Sequence, residues 1–98
     1  MDWEGLPGWE LVEQGVADLR RGAESVPAIL VAIGAPRLRR LGIDVPGREI
    51  PGPEHRLYLA LSAEEPDSAH SRYNALLRRL VSFERAAECA LTNALAGR

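Results

Sequence analysis

The chain has 98 residues, a formal net charge of −2 and 46 % hydrophobic residues, which fits one small domain with little core to spare. A net-negative chain is poorly suited to general binding of nucleic acid or anionic membrane, so nucleic acid is not expected as a partner. Its single cysteine, Cys89, excludes an intrachain disulfide and a cysteine-based metal cluster.

The opening stretch MDWEGLPGWE is acidic. It has no basic region followed by an apolar core, so no secretory signal is expected. No apolar run reaches the ~20 residues that cross a bilayer. A soluble, cytoplasmic, single-domain protein is the expectation. Within the opening stretch, Trp3 and Trp9 flank EGLPG and are expected to anchor an N-terminal arm over the core; an exposed aromatic anchor for a partner is the alternative.

The first element is predicted as a helix over Trp9 to Arg21. Leu11, Val12, Val16 and Leu19 share one face, with acidic residues early, Arg20-Arg21 late, and Gly22 at the position after the cap. The next stretch, VPAILVAIGAPRLRRLGIDVP, is read as helical: Glu24-Ser25 followed by Pro27 resembles a capped start with proline inside the first turn. Pro36 is expected to split it into two pieces, about 26–35 and 36–41, ending at Gly42. A strand over 28–33 leading into a glycine turn is the alternative, but no second glycine completes a phosphate-binding fingerprint.

Pro51, Gly52 and Pro53 mark the one obvious long loop, 47–54. After it, PEHRLYLALSAEE presents a helical stripe of Leu57, Tyr58 and Leu61, while its alternation also admits a strand over 56–62. The last segment, 67–96, keeps a 3.6-residue rhythm through Tyr73, Leu76, Leu77, Leu80, Phe83, Ala87, Leu91, Ala94 and Leu95, closed by Gly97 and Arg98. The fold expected is mainly α: a small bundle of about four helices with a long C-terminal helix, or, in the alternative, α+β.

Some 30 residues of helix span about 45 Å, whereas a compact chain of this size is roughly 35 Å across. Either the last helix breaks near Ser82 or bends within a monomer, or, as is expected, a second chain covers its apolar stripe. Leu80, Phe83, Ala87, Leu91 and Leu95 form the predicted seam of a homodimer, the commonest oligomer.

Chemistry-bearing residues are few. His70, Asn74 and Arg78 follow at steps of four on one helix face. With Arg72 they form a candidate site for a small phosphate or carboxylate, which arginine holds in bidentate fashion. No catalytic residue is identified, because neither Ser71 nor Ser82 is tied to a base. Neither His55 nor His70 has ligands at compact spacing, so no metal or other cofactor is assigned. The arginine doublets at 20–21 and 39–40 suit helix C-termini, Arg85 is expected to pair with Glu84 and Glu88, and Cys89 to pack as a small apolar group. The functional expectation is a helical self-association or protein-interaction module, with a small-anion (phosphate or carboxylate) binding protein or enzyme using the His70/Asn74/Arg78 face as the alternative.

Overall fold

The computed structural model describes residues 2–97. Four helices follow in order: α1 (Trp9–Arg20), α2 (Val26–Arg40), α3 (Pro53–Glu64) and α4 (Ala69–Ala96), with a single 3-10 turn over Pro66–Ser68. No strand occurs among the described residues. Both ambiguous stretches, 28–33 and 56–62, are helical.

Local chemistry explains the boundaries. The Ser25 hydroxyl accepts the Ala28 N–H at 3.2 Å and starts α2, with Pro27 in the first turn. Gly22 and Gly42 both adopt left-handed backbone. Each closes a Schellman motif: Gly22 N–H to Leu19 O and Ala23 N–H to Asp18 O at the end of α1, Gly42 N–H to Arg39 O and Ile43 N–H to Leu38 O at the end of α2. These bonds satisfy carbonyls that a helix end leaves free.

Pro36 does not divide α2, which runs unbroken from Val26 to Arg40. The expected break is therefore a correction: the missing N–H removes one bond, and packing on three sides holds the rest. α2 lies at the centre, against α1, α3 and α4. Ala28, Ile29, Leu30 and Val31 are consequently all buried, as an all-round apolar helix must be.

α1 approaches α2 closely at Gly15, where an added Cβ would stand 2.3 Å from the Pro27 carbonyl oxygen and 2.4 Å from Val31 Cγ2. α2 crosses α4 at Gly34, opposite Leu80 and Glu84. The N-terminal arm is pinned to α4: Trp3 meets the Phe83 ring edge-on at 6.1 Å and Trp9 stacks on it at 5.8 Å. The loop from Leu41 to Gly52 is drawn onto the body by its buried Ile43, Val45 and Ile50. Arg39 donates to the carbonyls of Val45 and Pro46, and Arg20 to the carbonyl and carboxylate of Asp44.

The result is elongated, 49 × 26 × 19 Å with a radius of gyration of 13.9 Å. The 28 residues of α4 give a rod of about 42 Å, which sets the long dimension. No described helix is long and apolar enough to cross a membrane.

Candidate functional site

α4 has two working sides. Its inner side carries Leu80, Phe83 and Ala87, which are buried in this chain's own core. That corrects the predicted seam at those three positions: α2 lies against Leu80, both tryptophans lie on Phe83, and all three residues belong to this chain's own core, so they are not surface offered to a second chain. Leu91 is partly buried against the same core. Leu95, 58 % exposed, is the one seam residue left open.

The outer side presents Asn74, Leu77, Arg78, Val81, Ser82 and Arg85 along one face of α4, bordering a shallow, open depression of about 490 Å³. A second groove, about 340 Å³, lies between α2 and α4 and shares Leu77 and Val81 with the first. Ile33 and Pro36 form its opposite wall, with Arg37, Arg40 and Glu84 around it. The two adjoin at Leu77 and Val81, so that a strip of aliphatic surface has Arg78 and Arg85 on one side and Arg37 and Arg40 on the other; this strip is called the trough below.

The candidate anion site is partly assembled. His70 Nε2 and Asn74 Nδ2 stand 3.2 Å apart, and Asn74 and Arg78 border the same groove. Arg72 does not join them: it faces another side of α4 and pairs with Glu64 at 2.9 Å, a correction that follows from the 100° turn per residue of a helix. His70 and Arg78 are exposed, so the row is a strip of surface, not an enclosed pocket. His55 sits exposed in the first turn of α3. Cys89 is exposed, with the Asn93 amide 3.8 Å from its sulfur, and so does not pack as an apolar core group.

The arginines sort by their partners. Arg21, Arg37, Arg56, Arg72 and Arg79 pair with Asp18, Glu84 and Glu88, Glu24, Glu64 and Glu10. Arg40, Arg78 and Arg85 make no ion pair among the described residues, and all three border the trough. The expected pairing of Arg85 with Glu84 and Glu88 is replaced by Arg37 from α2, whose Nε donates to Glu88 at 2.6 Å and whose Nη1 lies 3.4 Å from Glu84.

Glu84 is only 4 % exposed. Burial pushes its carboxyl above the ordinary glutamate value, with Glu88 adding to the rise and Arg37 opposing it. Glu88 is held low, first by its hydrogen bond from Arg37 and further by the fields of Arg37, Arg40 and Arg85. Glu84 lies four residues after Leu80 and three before Ala87, on the apolar stripe itself, so its burial was readable from spacing. Its partner 47 residues away was not.

Chemically, the trough can bury aliphatic side chains and hold carboxylates at its rim. It presents no nucleophile with a base, and no group of three His, Cys, Asp or Glu side chains among the described residues is placed to hold a metal. No protein-family model, curated protein or solved structure matches this chain.

Proposed function

We propose that this protein is a helical protein-interaction module whose docking surface is the trough between α2 and α4. The observation that carries this reading is the joining of an aliphatic floor (Ile33, Pro36, Leu77, Val81) to three arginines that the chain leaves without carboxylate partners. Apolar contact supplies affinity in such a surface, while rim charges select the partner and speed encounter. In this reading Arg78, next to the His70–Asn74 pair, holds a carboxylate of a partner protein, in place of a free metabolite. A cytoplasmic setting suits the exposed Cys89, because a reducing compartment keeps a lone thiol free.

Selection of helical peptides from a random displayed library tests this reading. Peptides that bind the native protein and lose binding to Val81→Glu, with circular dichroism unchanged, are the expected outcome. Binders indifferent to Val81→Glu would contradict it.

The exposed Leu95 at the free end of α4 favours a second reading, pairing of two copies through the last turns near Leu91 and Leu95. Those turns offer far less than the ~800 Å² per partner of a standard interface, so such a pair is weak. Light scattering distinguishes the readings: a mass of twice 10.7 kDa, abolished by Leu95→Glu, would establish the pair.

A further inference from the structure

We infer that the partner segment seated in the α2–α4 trough is an acidic amphipathic helix of about three turns. This rests on the interaction reading above and adds the chemistry of the occupant.

Three features lead to it. First, the surface is built by two helices whose backbone groups, apart from the Ala32 carbonyl that Pro36 leaves without its helical donor, are engaged within the helices, so it presents no strand edge for an extended peptide. An occupant against its aliphatic floor must satisfy its own backbone hydrogen bonds, and a helix does so. Second, the outer groove runs from Asn74 to Arg85 along α4, a rise of about 16 Å and hence roughly three helical turns. Within it, half-buried Leu77 and Val81, one turn apart, match two apolar side chains of the occupant at four-residue spacing.

Third, the charge is unbalanced. Four arginines (37, 40, 78 and 85) surround the trough against two carboxylates, Glu84 and Glu88, both engaged by Arg37. Arg78 and Arg85 stand seven residues apart, about 10 Å along the helix, the spacing of acidic residues two turns apart on a partner. A second copy of this chain would bring the same positive face against itself, since a two-fold contact pairs like patches. The floor has no aromatic side chain on which a base could stack, because Trp3 and Trp9 are both held on Phe83. A protein helix therefore fits better than a nucleic acid.

The test uses two fluorescent, hydrocarbon-stapled 15-residue helical peptides with leucines four residues apart, one flanked by glutamates seven residues apart and its twin by lysines. Each is titrated by anisotropy against the full chain at about 0.15 M salt. The acidic peptide is expected to bind about tenfold more tightly than its twin, and the Arg78→Glu/Arg85→Glu variant is expected to reverse the preference. Both arginines are exposed and unpaired, so the variant keeps its fold, which far-UV circular dichroism checks. Equal affinity for the two peptides would overturn the acidic occupant while leaving the interaction reading intact. Binding of neither would overturn the occupant, with the library selection deciding the interaction reading separately. Displacement of the acidic peptide by a short single-stranded RNA, lost in the double variant, would reassign the trough and overturn the inference.

Discussion

Two buried carboxylates of opposite character define this protein at the scale of the residue. Asp18, 2 % exposed, is fully furnished with donors: the Ser25 hydroxyl at 2.5 Å, Gln14 at 2.8 Å and Arg21 at 2.7 Å. The Ser25 hydrogen bond leads in holding its carboxyl below the ordinary range. The same serine caps α2, so one side chain joins the end of α1 to the start of the next helix. The cap was legible from Ser25 and Pro27; the aspartate behind it was not, since Asp18 reads as a surface charge until the turn brings Ser25 back. Glu84 is the reverse, a carboxyl raised by burial and only partly offset by Arg37. A raised carboxyl binds its proton more tightly folded than unfolded, so Glu84 withdraws stability as pH rises from about 4.5 through its folded value. Urea unfolding should therefore show Glu84→Gln gaining stability over the native protein between pH 4.5 and 7. A constant difference across that range would refute the buried, poorly compensated charge. Asp18 has the opposite sign: its contribution is present above the ordinary aspartate value and is lost as pH falls through the lower folded one.

Among the helices, close approach governs. α1 and α2 meet where Gly15 lacks a side chain, and there is no room for one: the nearest obstacle is backbone. Gly15→Ala should cost about 3 kcal/mol, the upper range of overpacking, and lower the melting temperature by more than ~10 °C. A loss below ~1 kcal/mol would mean that the two helices do not touch there. Gly15 lies three residues after Val12 and four before Leu19, at the middle of the apolar face, so the signal was present in the spacing. The ambiguity of α2 has a physical origin too. A helix enclosed on three sides needs apolar residues at almost every position, and Ala28 to Val31 then resemble a buried strand. The caps decide between them, as Ser25 and Gly42 do here. α4 was plain from its period, but period alone did not say which chain would cover its stripe.

At the scale of the whole molecule, the chain resolves the excess length of α4 by burying its middle and leaving its last turns, from Thr92 onward, exposed. Leu80, Phe83 and Ala87 close the domain; the adjoining shoulder of Leu77 and Val81, with α2 beside it, is the surface we propose for another protein. Such a trough depends on α2 standing next to α4, a long-range placement that helix spacing does not encode. It also depends on Arg37 engaging Glu84 and Glu88, which leaves Arg85 without the carboxylates its own helix seemed to supply. The fold was therefore more legible than the site: caps and periods are local, whereas the partners that occupy or release each arginine lie tens of residues apart.

The proposed docking of another protein between α2 and α4 is open to amide chemical-shift mapping of the isotope-labelled protein, titrated with a peptide selected from the library. Shifts concentrated at Ile33, Gly34, Arg40, Leu77, Val81 and Arg85 are predicted; shifts confined to α3 or to the last turns of α4 would contradict it.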